Sequence, residues 1–252
     1  LREVRNLYLF NFMENLSLTV GQKSTRKRIL EISFKRGLSH IGSCLSCVDL
    51  IDAVYIVKKK EEKFVLSNGH AGIALYVILE KHGLISGKKT EKLHVHPDRN
   101  PKYGIDVSTG SLGHGLPIAL GISLANRKKN VYCTISDGEC AEGSVWETLR
   151  IASESKVNNL KILLNANSWG AYSQINLKVL LKRLKAFGCK VLETDGHNLK
   201  SLVKALRTKT KNQPLILFAK TKIDQFPFLK GQDAHYYVMK EKDFKLVQKI
   251  LR

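Results

Sequence analysis

Val131-Tyr132-Cys133-Thr134-Ile135-Ser136-Asp137-Gly138 and, further on, Lys161-Ile162-Leu163-Leu164-Asn165-Ala166-Asn167 are the two stretches that decide the fold. Each is a short run of apolar and β-branched residues that stops at a polar turn, the pattern of a buried strand. Between them, residues 145–155 read as a helix. Asp137 and Asn167 lie about 30 residues apart, the length of one βαβ crossover, so both follow neighbouring parallel strands.

The same alternation extends outward in both directions. Upstream, residues 14–36 are expected to form a helix (Leu30, Ile32 and Phe34 among its apolar positions), 37–46 a small-residue loop, and 48–57 a second helix. Phe64-Val65-Leu66 is a short strand ending at Ser67-Asn68-Gly69-His70, and 71–81 is helical through Ile73, Leu75, Val77 and Leu79. Gly110-Ser111-Leu112-Gly113-His114-Gly115 leads into an apolar helix over 116–126. Downstream come a helix over 177–187, a strand at 191–193, a helix over 199–209 and a strand over 215–219. There is no internal repeat and no Pro/Ser-rich linker. The expectation is an α/β fold, one domain over 1–252, with a mostly parallel sheet flanked by helices on both faces. Ligands of such sheets bind at the carboxyl ends of the strands, so the residues after each strand matter most.

Composition narrows the class. The 252 residues are 43% hydrophobic and 25% charged, which excludes a disordered, collagenous or coiled-coil chain. A net charge of +20 admits two readings: a solvated lysine-rich surface, or attraction to nucleic acid, phosphorylated small molecules or an acidic partner. Lys58-Lys59-Lys60, Lys88-Lys89 and Arg127-Lys128-Lys129 have no interleaved aromatics and no nucleic-acid signature beside them, so nucleic acid is disfavoured. Five cysteines do not make a disulfide framework, and Cys44-x-x-Cys47 lacks the second pair of a zinc site; both read as small residues near a helix start. No run reaches the ~18 apolar residues of a membrane span. Leu1-Arg2-Glu3-Val4 carries charge early and has no cleavage site, so the cytoplasm is expected. Without an initial Met, the chain reads as trimmed or partial.

Asp137 and Asn167, with a flanking carbonyl, are oxygen donors suited to Mg²⁺, which takes one or two protein ligands and the rest from phosphate and water. The alternative is an Asp-Gly turn and a loop asparagine with no ligand. Gly138 permits close approach of a diphosphate. The spacing Gly110-x-x-Gly113-x-Gly115 differs from the dinucleotide fingerprint; it offers N–H groups to an anion or a flat surface to a ring, or is simply a turn. His40, His70, His96 and His235 all fall in loops, each a possible general acid, base or hydrogen-bond donor, or an ordinary polar residue. Their spacing is not that of a zinc site.

Taken in order, Phe64-Val65-Leu66-Ser67-Asn68-Gly69-His70-Ala71, Asp106-Val107-Ser108-Thr109-Gly110-Ser111-Leu112-Gly113-His114-Gly115 and Asp137-Gly138-Glu139-Cys140-Ala141-Glu142-Gly143-Ser144-Val145-Trp146-Glu147 resemble the transketolase family. Asp195-Gly196-His197 matches as well. The resemblance is to the thiamine-diphosphate-binding N-terminal domain and runs from Ser39-His40 to His235. It implies that Asp137, Asn167 and the Trp169 carbonyl hold Mg²⁺ (or Ca²⁺ or Mn²⁺) against the cofactor diphosphate. It implies that Gly110, Ser111 and Leu112 line the aminopyrimidine, with Gly138 and Glu139 also in the cofactor set. His70 and His235 would sit by the diphosphate and reaction centre, His40 and His96 by the donor sugar. Glu142 would link cofactor sites across the interface between subunits. The implied reaction moves a two-carbon ketol unit from a ketose phosphate to an aldose phosphate, with histidines stabilising alkoxides and moving protons.

Departures from the family pattern are Ser136 in place of Gly, the Asn165-Ala166-Asn167 stretch, and no proline after His40. The chain also stops short of the pyrimidine-binding and C-terminal domains, which carry the activating glutamate. The resemblance is therefore to a split enzyme whose partner subunit supplies them, with α2β2 assembly expected and activity only in the complex. Other readings are a deoxyxylulose-phosphate synthase-like enzyme or a specialised sugar transketolase, a nucleic-acid-binding protein, and a non-catalytic regulatory relative.

Overall fold

The computed structural model describes residues 16–251; the N-terminal reading of Leu1-Arg2-Glu3-Val4 lies outside them. Among the described residues five strands form one parallel sheet: β1 (Lys63–Leu66), β2 (Val131–Ser136), β3 (Leu160–Ala166), β4 (Lys190–Asp195) and β5 (Leu215–Lys220), in the order β1-β2-β3-β5-β4. The register sets Ser136 opposite Asn165 and Ala166 opposite Lys220, so the turns after β2, β3 and β5 open side by side.

Side-chain alternation divides the core in two. Leu66, Tyr132, Leu163, Leu217 and Ala219 face one layer, packed under α1 (Val20–Lys35), α2 (Ile41–Val57) and α3 (Gly72–Lys81). Val65, Cys133, Ile135, Ile162, Leu164 and Phe218 face the other, under α4 (Gly115–Ala125), α5 (Gly143–Glu154) and α6 (Leu177–Ala186). Strands buried on both faces read as continuous apolar runs, as the two central strands do. Two further helices, α7 (Leu199–Leu206) and α8 (Glu241–Ile250), add Leu202, Leu206 and Val247 to the first layer. Helix α8 has no counterpart among the expected elements; Phe244 stacks on Phe34 of α1 with ring centroids 4.3 Å apart.

One expectation is corrected. The small residues predict a loop over 37–46, yet α2 begins at Ile41 and is buried without interruption from Ile41 to Val54. A helix buried on every side is a core helix, here with Asp49 and Asp52 among its buried residues, and burial outweighs the weak helix propensity of Gly42-Ser43-Cys44. The first helix, expected over 14–36, runs over Val20–Lys35, where Thr19 and Gln22 close a capping box; residues 14 and 15 lie outside the described part.

Candidate functional site

The turns after β1, β2, β3 and β5 converge at the carboxyl edge of the sheet, where the four loop histidines meet. Ring centroids lie 5.4 Å apart for His40 and His70, 4.7 Å for His40 and His235, 5.1 Å for His70 and His235, and 6.4 Å for His40 and His96. His40 heads α2 with a left-handed backbone (φ 60°), and its N–H donates to the His235 carbonyl at 3.0 Å. The Thr109 N–H donates to the Pro97 carbonyl at 3.1 Å, closing the loop that carries His96. A Cβ on Gly110 would lie 3.1 Å from the His96 ring. Ser111 is exposed and Leu112 half-buried on the same loop.

Burial, then the neighbouring His235 and His96, push His40 down to about 4. Burial and the other three rings push His70 down to about 3, and burial lowers His235. These three imidazoles are therefore neutral near pH 7, and each is able to donate from one nitrogen and accept at the other. The His40 Nδ1 atom is buried with no hydrogen-bond partner, as are Thr109 Oγ1 and Asn68 Oδ1 on the neighbouring loops. Buried polar atoms without partners are costly, and a ligand seated among these loops would satisfy them.

Asp137 follows β2 and is 1% exposed. Its Oδ1 accepts from the Gly138 N–H at 3.0 Å and its Oδ2 from the Ser168 N–H at 2.7 Å. Burial pushes its carboxyl up to about 7, opposed by backbone N–H groups alone. Asn167 follows β3; its Oδ1 accepts from the Trp169 N–H at 2.9 Å and keeps a second lone pair. The Trp169 carbonyl accepts no hydrogen bond among the described residues. One buried carboxylate without a cationic partner, one amide oxygen and one open carbonyl form a hard-oxygen donor set, so these residues fit Mg²⁺. No cluster of three or more His, Cys, Asp or Glu able to hold a metal occurs among the described residues. A cleft of about 260 Å³ opens beside Asp137, lined by Cys140, Ile175, Leu180 and Arg183.

The loop after β3 and the loop that carries His235 touch. Gly231, at φ +48°, leaves a built Cβ only 3.0 Å from the Trp169 indole. Gln232 Nε2 and the Tyr236 hydroxyl donate to the Ala171 carbonyl at 2.9 and 3.3 Å.

Glu139 stands differently from its expected place among the cofactor-binding residues. It is 0% exposed. Its Oε1 accepts from Ser67 Oγ at 2.5 Å and the Gly113 N–H at 3.1 Å, and its Oε2 accepts from the Ser136 N–H at 2.9 Å. Turned inward, it clasps the β1 turn, the glycine-rich loop and the β2 turn together. Ser136 adds its own bonds, accepting from the Glu139 N–H at 3.2 Å and donating to Oε2 at 3.3 Å. Glu142, by contrast, is exposed at the start of α5.

Around the site stand supports that, His197 of the Asp195-Gly196-His197 match aside, have no local signal in the sequence. Ser43 Oγ lies 3.3 Å from His235 Nδ1, and Tyr236 flanks His40 at 6.4 Å. Behind the histidines, Arg26 pairs with Asp49 at 2.6 Å. His197, of the Asp-Gly-His motif, accepts at Nε2 from the Lys222 N–H at 2.9 Å and so donates from Nδ1 to Asp49 at 2.8 Å. Burial would raise Asp49, but Arg26 and the His197 hydrogen bond outweigh it and hold the carboxyl well below the usual range.

The family described as "Transketolase, thiamine diphosphate binding domain" matches residues 50–251. One of the subunits of the apulose-4-phosphate transketolase of Phocaeicola vulgatus is 31% identical over 236 residues, covering 83% of this chain and 84% of that one. Human transketolase is 32% identical over 230 residues, covering 79% of this chain and 36% of the longer protein. The transketolase structure from Campylobacter jejuni superposes with a TM-score of 0.80 at 23% identity, over 91% of this chain and 42% of that one, which shows the shared fold. Among the described residues no helix is long and apolar enough to cross a membrane.

Proposed function

The chain belongs to the transketolase family through its thiamine-diphosphate-binding domain, and from that premise we propose that it is the N-terminal subunit of a split transketolase. On this reading residues 1–252 are one domain, located in the cytoplasm, that binds the diphosphate end of thiamine diphosphate through Mg²⁺. A C-terminal partner subunit supplies the pyrimidine-binding region, in an α2β2 assembly. The pair transfers a two-carbon ketol unit from a ketose phosphate to an aldose phosphate. The observation that carries this is the convergence of four histidines beside the Asp137 and Asn167 turns.

When bound, thiamine diphosphate supplies the carbanion that accepts and passes on the two-carbon unit. Asp137, Asn167 and the Trp169 carbonyl would hold the divalent cation. Neutral His70 and His235 would donate to phosphate and substrate oxygens without bringing a second positive charge. His40 and His96 would face the sugar, holding or moving protons at its carbonyl and hydroxyl oxygens. Gly110, Ser111 and Leu112 would line the aminopyrimidine. Exposed Glu142 would reach across the interface between subunits. The name of the Phocaeicola relative supports a second reading within the family, a specialised sugar phosphate as substrate.

Calorimetry with thiamine diphosphate and Mg²⁺, with and without the partner subunit, tests the binding half; no heat in either arm would sink it. Ketol transfer assayed on a panel of ketose and aldose phosphates tests the reaction. Robust turnover by this chain alone would refute the need for a partner.

A further inference from the structure

The amino edge of the sheet, at the opposite end of the strands from the histidines, holds a second cleft of about 460 Å³. Strands of six or seven residues put it roughly 20 Å from the candidate site. Six cations line it: Lys59, Arg127, Lys128, Lys161, Arg207 and Lys209. Two of the basic runs in the sequence, 58–60 and 127–129, thus meet here although some 70 residues separate them. None of the six takes part in the ion pairs formed among the described residues.

Glu62 is the one acidic residue in the lining, and the chain already occupies it. Its Oε1 accepts from Asn130 Nδ2 at 2.6 Å, and its Oε2 from the Lys59 N–H at 2.8 Å and the Tyr132 hydroxyl at 3.3 Å. The walls are fixed in advance. Asn159 Nδ2 donates to the carbonyls of Ser123, Asn126 and Lys129 at 3.0, 3.0 and 2.8 Å, pinning the turn that carries Arg127 and Lys128. Asn158 Nδ2 donates to the Lys211 carbonyl at 2.9 Å and Thr210 Oγ1 to the Asn158 carbonyl at 3.2 Å, pinning the segment with Arg207 and Lys209. Arg127 is oriented by the Ser155 carbonyl at 3.2 Å. Lys161, only 7% exposed, is anchored in the floor by the carbonyls of Leu206 and Thr208.

Like charges gathered in a preorganised cleft repel one another and favour a counter-anion. Three separate segments supply the rim, and the volume lies within the ~300–1,000 Å³ of small-molecule sites. We propose that this cleft is a second ligand site, independent of the reading above, for a small anion carrying a chain of phosphoryl groups. Free polyphosphate and a nucleoside triphosphate share that chemistry.

The test is calorimetric titration of the full chain with sodium tripolyphosphate and, separately, with ATP, at low salt and at about 0.15 M salt. Binding that weakens at least tenfold in K128E/R207E, falls between the two in K128Q/R207Q, and persists in H70N/D137N is the expected result. Equal affinity for the two probes would identify the phosphoryl chain as the group read. Tighter binding of ATP, also lost in K128E/R207E, would point to a nucleotide as the source. Both substituted positions are exposed, and circular dichroism checks that the variants stay folded. No binding to the native chain, unchanged binding in K128E/R207E, or loss only in H70N/D137N would overturn the proposal. Preference for a single-stranded oligonucleotide over tripolyphosphate would overturn it in favour of nucleic acid.

Discussion

Asp49 and Asp137 are buried to nearly the same degree, at 2% and 1% exposure, yet their surroundings push them in opposite directions. Asp49 is enclosed by groups the chain itself supplies. Arg26 grips both oxygens, at 3.1 and 2.6 Å, Gln22 Nε2 donates at 3.0 Å, and His197 completes the set. Asp137 receives only backbone N–H groups, so burial wins and its carboxyl rises to about 7. A carboxylate answered by an internal guanidinium serves the architecture. One placed at a strand end without such an answer is suited to a cation from outside.

The largest test of that contrast is Arg26→Ala. It strands a buried carboxylate and removes a bidentate partner, so a loss of about 3–5 kcal/mol is expected in denaturant unfolding. A loss below about 1 kcal/mol, the worth of an exposed pair, would erase the contrast. Asp137→Asn should do the opposite. It removes a charge that burial already disfavours, so the ligand-free chain keeps or gains stability. Its Mg²⁺-dependent affinity for thiamine diphosphate, measured by calorimetry, should fall at least about tenfold. A variant that unfolds while binding cofactor normally would reverse the two roles.

The histidines sharpen the comparison through pH. His40 and His70 titrate at about 4 and about 3 in the folded chain, against an ordinary 6.5. The unfolded chain therefore binds more protons below pH 6.5. Their contribution is fully present above that value and is lost as the pH falls toward 4 and then 3. Each proton adds a slope of about 1.4 kcal/mol per pH unit, less for the partly buried His40. Thermal melts between pH 7 and 4 should thus flatten in H40N/H70N; an unchanged slope would contradict the burial of the cluster. The smallest effect belongs to Ser136→Gly, which removes the hydroxyl bonds to Glu139 but leaves the backbone one, for about 0.5–1.5 kcal/mol in the same melts.

Much of the fold is legible in the sequence because it rests on local pattern. The apolar runs at Val131 and Lys161 can pack only between two helical layers, and their polar ends mark the ligand edge. The start of α2 is not legible. Gly42-Ser43-Cys44 looks like loop chemistry, and only the tertiary setting explains it: a Cβ on Gly42 would lie 2.4 Å from Ile223. Small residues are there because other segments press on the helix, a fact that no window around residue 42 contains. The candidate site divides in the same way. Loop context picks out His40, His70, His96 and His235, but their grouping depends on contacts spanning up to 195 residues of chain. The resemblance puts Glu139 in the cofactor set, yet within the 3-10 turn over Gly138–Ala141 its carboxylate is buried against Ser67, Gly113 and Ser136. The Arg26–Asp49–His197 set joins three distant segments and leaves no periodic trace.

The Trp169 indole resting against Gly231 joins the loop after β3 to the segment that carries His235. The Ala171 carbonyl, held by Gln232 Nε2 and the Tyr236 hydroxyl, ties the same two segments together a second time. A side chain larger than glycine at position 231 would therefore push on the indole and disturb both loops at once, a single change felt at two places in the site.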